Sequence, residues 1–278
     1  MKLIEQLKTF SPIDLKQMDR VKLLRRYDTK YLISKKRVSD LLPSLVRDYF
    51  ILEIDGNRIV SYHTAYIDTP DKTYYKNHHQ GRNKRHKVRF RTYVESCLSF
   101  LEVKLKDKGK TNKKRITSTQ NNSLDGAQKA FLSEWITEDL EQLNTSLENT
   151  FQRVTLVHKW EQERVTIDFN LNFVIENQTI PLDEQVIIEI KQSRVNRNSV
   201  ISKLLRSKLI RPLRLSKYCI GCILMEENSL SKQRSTIGIS WSMGDDLKMK
   251  LFLRNQKDLN EENKDKLGVI GYGMHYKF

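Results

Sequence analysis

The chain has 278 residues, and its 50 Lys and Arg side chains exceed its 34 Asp and Glu side chains, which gives a formal net charge of +16. Such a charge implies an anionic partner, which could be nucleic acid, an acidic membrane surface or a phosphate-rich molecule. The longest apolar run, residues 218–225, is far shorter than the roughly 20 residues that a membrane helix needs, and a content of 10 Gly and 5 Pro excludes collagen-like and low-complexity chains.

Hydrophobic periodicity predicts strands with helices inserted between them. In chain order, the predicted elements are a helix at 3–24 broken near 11–12, a strand at 23–33, a helix at 34–49, strands at 50–54 and 57–68, a short helix after Thr69-Pro70-Asp71, strands at 84–94 and 98–108, a short strand after the basic stretch 107–115, a helix at 124–147, strands at 151–161, 163–173 and 184–191, and helices at 198–208 and 217–227. This order predicts an α+β fold with a mainly antiparallel sheet.

Periodicity fades from residue 229 onward. We therefore predict one folded domain over 1–228, which includes a helical segment at 1–22. Residues 229–278 are expected to form a flexible C-terminal extension.

The predicted strands place charged and apolar side chains on opposite faces, since side chains alternate along a strand. Lys87, Arg89 and Arg91 share one face of their strand, opposite Val88 and Phe90. Five further segments alternate in the same way. Isolated carboxylates lie two positions from a base in the pairs Asp28/Lys30, Glu102/Lys104 and Glu189/Lys191.

Two interpretations of these faces remain open. An antiparallel sheet with one solvated face would show the same alternation. A sheet closed into a barrel would instead line a tunnel with the charges and turn its apolar face outward, against the inserted helices. Arg and Lys in such a tunnel would bind a polyanion, and the carboxylates would suit Mg²⁺ or Mn²⁺, which take oxygen ligands and bridge to phosphates.

Seven short blocks, in order, resemble vacuolar transporter chaperone (VTC) domains, a family of the triphosphate tunnel metalloenzyme (CYTH-like) superfamily. The blocks are RRYDTKY at 25–31, YIDTP at 66–70, KVRFR at 87–91, FLEVK at 100–104, RVTID at 164–168, IEIK at 188–191 and SKY at 216–218. The resemblance implies a closed eight-stranded antiparallel β-barrel, a tunnel with a charged lumen that is covered by helices. It would make residues 1–228 the catalytic domain.

The resemblance further implies a polyphosphate polymerase that transfers the γ-phosphoryl group of ATP to a growing inorganic polyphosphate chain. The residues that it implicates fall into three groups: Arg89, Arg91, Lys104 and Lys191 in catalysis, Lys30, Lys159, Arg164 and Lys217 in substrate binding, and Glu189, with Glu102, in holding Mn²⁺ or Mg²⁺. No general base is needed, because a terminal phosphate oxygen is already ionised at neutral pH.

The sequence departs from the family pattern at two places. The superfamily's opening strand alternates two Glu and a Lys, where this chain has Arg26, Asp28 and Lys30. Lys159 stands where the family usually has an Arg, and Lys lacks the bidentate fork. These departures keep open a non-catalytic module that binds polyphosphate or inositol phosphates. A triphosphatase that hydrolyses ATP or tripolyphosphate also remains open, because it would use the same cationic lining.

Nucleic acid fits the net charge, but the sequence has no helix-turn-helix, RNP or zinc-finger pattern, so we do not expect a nucleic-acid partner. The expected partners are ATP and inorganic polyphosphate, together with a membrane protein that could receive the product. Three cysteines, an odd number, argue against a disulfide framework. We therefore expect a cytoplasmic location, peripheral to the inner face of a membrane.

Overall fold

The computed structural model describes residues 2–18, 26–108, 110–119, 123–175 and 178–230. The helices are α1 (Lys2–Lys8), α2 (Leu15–Met18), α3 (Lys35–Leu41), α4 (Thr73–His79), α5 (Gly126–Ser133), α6 (Val200–Ser207) and α7 (Lys217–Leu230), with 3₁₀ turns at Leu42–Leu45 and Leu140–Gln142. The strands are β1 (Pro12–Ile13), β2 (Tyr27–Ser34), β3 (Tyr49–Leu52), β4 (Val60–Asp68), β5 (Arg85–Tyr93), β6 (Leu98–Asp107), β7 (Lys110–Thr117), β8 (Asn144–His158), β9 (Glu163–Ile175), β10 (Gln178–Leu182) and β11 (Gln185–Gln192).

The strands form one antiparallel sheet, apart from a short parallel pairing of β1 with β3. Eight of them follow the path β2-β11-β9-β8-β4-β5-β6-β7, while β3 and β10 pair with β8 and β9 at the side of the path. The α+β class and the antiparallel sheet are therefore as predicted.

The closed barrel is not found. Within the described ranges, the end strands β2 and β7 do not pair with each other, so the sheet is open. Part of the free edge of β2 is taken up by another segment, because the Leu213 N–H donates to the Lys30 carbonyl at 2.8 Å. This carbonyl therefore already accepts a backbone hydrogen bond from a segment other than β7.

The register places charged residues in rows across the sheet, because directly paired residues share a face. Lys30 on β2 pairs with Glu189 on β11, which pairs with Thr166 on β9. Arg89 on β5 pairs with Glu102 on β6. The alternation read from the sequence therefore continues from strand to strand on one face.

The opposite face of β4, β5 and β6 is apolar and is covered by α5 and the residues after it. α5 begins with a capping box, in which Asp125 accepts from the Gln128 N–H and the Gln128 side chain accepts from the Asp125 N–H. The buried side chains of this core are Ala65, Ile67, Tyr74, Val88, Phe90, Leu101, Val103, Leu124, Leu132, Ile136 and Leu143. The expected helical cover is present over this half of the sheet.

At the β2–β11 end, α3 packs against both strands and buries Val38 and Leu41. α6 buries Ile201 and Leu205. Both helices are short and amphipathic, and each shields apolar residues from water while the other face of the strands stays charged.

Several predicted elements need correction. Most of the stretch 107–115, predicted to connect two strands, belongs to β7, and the helix predicted at 34–49 ends at Leu41 and is followed by a 3₁₀ turn. The helix expected at 124–147 ends at Ser133, and the chain enters β8 at Asn144, because residues 144–148 pair with β4. β10 was missed. α4 begins at Thr73, where the Thr69 hydroxyl accepts from the Thr73 N–H at 2.9 Å, so Pro70 is not the first helical residue.

The predicted extension at 229–278 lies outside the described residues from 231 onward, as does the start of the strand predicted at 23–33. Within the described part, no helix is long and apolar enough to cross a membrane.

Candidate functional site

Basic side chains from seven strands and from the start of α7 meet on the charged face of the sheet. We call this set the charged cluster. It consists of Lys30, Lys87, Arg89, Arg91, Lys104, Lys113, Arg153, Arg164, Lys191 and Lys217, with the carboxylates Glu102, Asp168 and Glu189. The basic members outnumber the acidic members, so the cluster carries a net positive charge.

The two ends of the sheet face each other across this cluster. The pKa of Lys104 on β6 is lowered by burial and influenced by Asp28 and Lys30 on β2. Lys87 on β5 donates to the Ser216 hydroxyl at 2.9 Å, and Lys30 donates to the Leu215 carbonyl at 3.2 Å. Adjacent residues of one segment therefore connect the two ends, although β2 and β7 do not pair.

Glu102 is 2% exposed and binds two cations from neighbouring strands. Its Oε2 accepts from Nε of Arg89 at 2.7 Å, and its Oε1 accepts from Nζ of Lys113 at 2.5 Å. Burial raises the pKa of Glu102, but Arg89, Arg91 and Lys113 outweigh burial and hold it at about 2. Glu102 is therefore a carboxylate at any physiological pH.

Asp168 has the same arrangement on β9 and is also 2% exposed. Its two oxygens accept from Nε and Nη2 of Arg153 at 2.5 and 2.7 Å, and Oδ2 also accepts from Nζ of Lys217. Burial raises the pKa of Asp168, but Arg153 and Lys217 together hold it well below its ordinary value.

Glu189 is more open than these two carboxylates, with 16% of its side chain exposed. It accepts from Nζ of Lys191, and Nζ of Lys30 lies 3.7 Å away. Burial raises the pKa of Glu189, but Lys191 and Lys30 hold it well below its ordinary value. It is an ionised carboxylate at the partly open side of the cluster.

A divalent metal fits the cluster only in part. Glu189 offers ionised oxygens, but the described residues contain no group of three or more His, Cys, Asp or Glu side chains that could hold a metal ion. Mg²⁺ commonly binds through one or two carboxylates together with substrate phosphates. Glu189 therefore suits a metal that arrives with phosphate, and the oxygens of Glu102 already bind Arg89 and Lys113.

Four basic members of the charged cluster have no ion pair with a carboxylate among the described residues: Lys87, Arg91, Lys104 and Arg164. The pKa of Lys87 is lowered well below its ordinary value, first by burial and then by Lys30. Burial and the neighbouring Arg89 lower the pKa of Arg91 to about 10. Positive charge at these positions is unfavourable in the free protein, and a bound anion would relieve it.

Aromatic rings lie beneath the guanidinium groups of Arg91 and Arg153. Tyr62 and Phe151 stack with ring centroids 5.0 Å apart. The Arg91 guanidinium carbon lies 5.5 Å from the Tyr62 centroid, the Arg153 guanidinium carbon lies 5.0 Å from it, and Nζ of Lys217 lies 4.3 Å from that of Phe151. These cation–π contacts orient the cations without neutralising them.

The structure brings together nine of the ten predicted site residues. Arg164 lies at the side of the cluster, where Arg26 and Arg153 contribute, after burial, to lowering its pKa. Lys159 lies apart, in the loop after β8, where Nζ donates to the Val46 carbonyl at 3.4 Å and lies 5.2 Å from the Phe50 ring centroid. β8 ends at His158, whose Nδ1 accepts from the backbone N–H groups of residues 160 and 161.

The residues at the start of β2 also differ from the superfamily's opening motif. Nε of Arg26 donates to Asp28 at 3.0 Å, so the residue in place of the family's first acid binds the second one. Asp28 is therefore already paired with a cation.

Four members of the charged cluster, Lys87, Lys113, Arg153 and Asp168, and the neighbouring rings of Tyr62 and Phe151 were not among the predicted site residues. The alternation did place Lys87, Arg153 and Asp168 on charged faces. Lys113 lay in the stretch 107–115, which was predicted to be a connection but belongs largely to β7, and the aromatic rings gave no charge signal.

Comparison with solved structures finds distant likenesses. A candidate adenylate cyclase from Bacillus halodurans is 13% identical with a TM-score of 0.46, covering 68% of this chain and 92% of its own. A Hippeastrum adenylyl cyclase candidate, described as having a dominant triphosphatase activity, is 12% identical with a TM-score of 0.43, covering 71% and 96%. A Pyrococcus horikoshii protein has the same identity and TM-score, covering 73% and 99%. At these values the likeness does not bear on function.

No curated protein sequence matches the chain. The family model of the VTC domain matches residues 25–226, which is well over half of the chain and includes all seven blocks noted in the sequence. The chain belongs to the VTC domain family.

Proposed function

We propose that this chain is a metal-dependent phosphotransferase that adds the γ-phosphoryl group of ATP to inorganic polyphosphate. One observation carries the proposal: basic side chains of seven strands share one face, and Lys87, Arg91 and Lys104 form no ion pair with a carboxylate among the described residues. Clustered, unneutralised cations suit a ligand with closely spaced negative charges. Membership of the VTC family supports the choice of polyphosphate.

The chemistry asks little of the protein beyond positioning and charge neutralisation. A terminal oxygen of polyphosphate attacks the γ-phosphorus of ATP, a new P–O–P bond forms, and the bond to the β-phosphate oxygen breaks as ADP leaves. Arg89, Arg91, Lys104 and Lys191 would neutralise the transferring group. A divalent cation, Mn²⁺ or Mg²⁺, held through Glu189 and phosphate oxygens would supply Lewis-acid polarisation.

The remaining predicted residues would hold the polymer. Lys30 and Lys217 lie within the cluster, and Arg164 lies at its side, so they could bind phosphates on either side of the transferring group. Lys159 is a weaker candidate, because its ammonium group already binds the Val46 carbonyl.

A second candidate, a non-catalytic module that binds polyphosphate or inositol phosphates, is favoured by the pairing of Arg26 with Asp28. That ion pair neutralises a carboxylate of the opening strand, and the described residues hold no cluster of metal ligands. A module of this kind would keep the cations and lose the metal site.

One assay separates these functions. The purified chain is incubated with ATP and Mn²⁺, and polymer, ADP and free phosphate are measured together. We expect polymer in amounts that match the ADP released. Free phosphate with ADP and without polymer would identify a triphosphatase. No turnover, with a melting temperature that rises on addition of polyphosphate, would identify a binding module.

The proposal includes a cytoplasmic site of action next to a membrane protein that receives the polymer. The chain's net charge of +16 would also attract it to an anionic inner leaflet. Membrane fractionation would test this location. The chain should sediment with the membranes at low salt and be released by a wash with concentrated sodium chloride.

A further inference from the structure

Two buried carboxylates of the charged cluster each bind one Arg and one Lys from different elements. We call them the Glu102 clamp, with Arg89 of β5 and Lys113 of β7, and the Asp168 clamp, with Arg153 of β8 and Lys217 of α7. Each clamp has two cations and one anion, so each retains a positive charge.

The oxygens of both carboxylates are fully engaged. In the Asp168 clamp, Oδ1 accepts from Arg153, and Oδ2 accepts from Arg153 and Lys217. In the Glu102 clamp, Oε2 accepts from Arg89 and Oε1 from Lys113. Both carboxylates are 2% exposed, whereas 16% of the Glu189 side chain is exposed, so Glu189 is the more accessible to a metal ion.

We propose that Asp168 and Glu102 are positioning residues, each of which fixes an Arg–Lys pair in the orientation that binds neighbouring phosphates of one chain. The inference rests on the proposed phosphate-binding function and assigns Glu102 a role other than metal ligation.

The physical reason is conformational entropy. Free Arg and Lys side chains lose much rotamer freedom when they bind a ligand. A carboxylate that already holds them, as Asp168 holds Arg153 in bidentate geometry, removes part of that loss before the ligand arrives. Because the cations of one clamp come from different elements, the carboxylate also fixes their separation.

The test is the affinity for tripolyphosphate, measured by titration calorimetry on the full chain. In Asp168→Asn we expect affinity to fall roughly tenfold, because the ligand must then order an Arg and a Lys side chain that the carboxylate no longer holds. The matched control is Asp183→Asn, which makes the same change at an exposed turn between β10 and β11 and should leave affinity unchanged.

The sign of the effect discriminates between positioning and simple electrostatics. At the acidic end of the pH range, where Lys217 stays protonated in both proteins, removing a negative charge from a cationic site should strengthen binding of an anion if orientation does not matter. Equal or tighter binding by Asp168→Asn would therefore overturn the proposal. Failure of the wild-type chain to bind tripolyphosphate would instead overturn the proposed function.

A pH profile excludes a merely structural role. Burial lowers the pKa of Lys217 to about 8, and Asp168 keeps it from falling further. The other groups that influence Lys217 are Arg153 and Lys30, both of which disfavour its charge. In Asp168→Asn, binding should therefore weaken at a lower pH than in the wild type. A parallel loss at all pH values would contradict positioning through Lys217.

A second variant protects the test against misfolding of the first. Glu102→Gln should likewise lower the affinity for tripolyphosphate, because it removes the carboxylate of the other clamp. Circular dichroism and melting curves establish that each variant is folded.

A double-mutant cycle gives a further test. In a Lys217→Gln background, Asp168→Asn should lose clearly less affinity than in the wild type, because one of the two cations that Asp168 positions is absent. Additive losses would contradict the proposal.

Discussion

The two faces of the sheet, built from the same strands, depend on opposite interactions. On β6, Leu101 and Val103 point into the apolar core beneath α5 and are fully buried, while Glu102 between them binds Arg89 and Lys113. The apolar face stabilises the fold by removing surface from water. The charged face includes cations that burial and mutual repulsion disfavour, such as Lys87.

The contrast separates the residues that stabilise the fold from those that we expect to bind the ligand. Substitutions on the apolar face should lower stability, whereas substitutions of charged-face cations that form no ion pair, such as Lys87, should change binding or turnover with little loss of stability. The same strand can test both, because its neighbouring residues point in opposite directions.

The largest effect is expected for Glu189→Gln. Loss of the carboxylate should reduce polymer formation from ATP by at least about a hundredfold, the range seen when one electrostatic contribution to catalysis is removed. Binding of tripolyphosphate without metal should change far less than turnover, because the cations of the cluster remain in place. The two measurements are turnover in Mn²⁺ and calorimetry in EDTA.

Glu184→Gln, at an exposed position before β11, is the control and should keep full activity. Full activity of Glu189→Gln itself would remove the proposed metal site.

The next effect concerns the apolar face. Leu101 is 0% exposed in the core beneath α5, and Leu101→Ala should lower the free energy of unfolding by about 2–5 kcal/mol. Leu98 on the same strand is 50% exposed, so Leu98→Ala should change the free energy of unfolding by less than about 1 kcal/mol. Urea unfolding measures both.

Equal effects of Leu101→Ala and Leu98→Ala would mean that this side of β6 does not carry the core. We also expect the folded fraction of Leu101→Ala to bind tripolyphosphate with wild-type affinity. That result would show that this core residue contributes to stability and not to binding.

Much of this separation could be predicted from the sequence, because the period of a strand is local. Arg89 and Arg91 alternate with Val88 and Phe90, so their common face follows from spacing alone. The family blocks then located the site, since they carry most of the residues that form the cluster.

Features that depend on register or on distant segments could not be predicted. The Glu102–Lys113 pairing requires knowing how β6 and β7 align, and the Asp168–Lys217 pairing joins residues 49 positions apart. Closure of the sheet depends on whether its end strands meet. Lys159 fell within the strand predicted at 151–161, but that strand ends at His158, whose ring accepts from the backbone N–H groups of residues 160 and 161. The spacing of residues does not reveal such a turn.

A smaller effect is expected for Lys87→Met, which should change stability and binding in opposite directions. The lowered pKa of Lys87 means that its charge is unfavourable in the folded protein, so an apolar replacement should raise the free energy of unfolding by about 1 kcal/mol. Tripolyphosphate affinity should fall, because a cation that faces Lys30 is lost. Urea unfolding and calorimetry give the two values.

Lys36→Met, at an exposed position on α3, serves as the control and should change neither quantity appreciably. A fall in stability for Lys87→Met would mean that its hydrogen bond to Ser216 outweighs the repulsion.

The smallest effect is a pH dependence that phosphate should abolish. Burial lowers the pKa of Lys217 to about 8, below the ordinary 10.5 that it regains on unfolding. Between these values the unfolded chain binds more protons, so the stability of the free protein should rise as pH increases from about 8 to 10.5.

Bound tripolyphosphate favours the protonated amine of Lys217, so binding near pH 8.5 should take up a fraction of a proton. Calorimetry in buffers of different ionisation enthalpy measures this uptake. Proton release on binding would mean that the ligand does not contact the lysines of the cluster, whereas uptake that disappears in Lys217→Met would place the phosphate beside the Asp168 clamp.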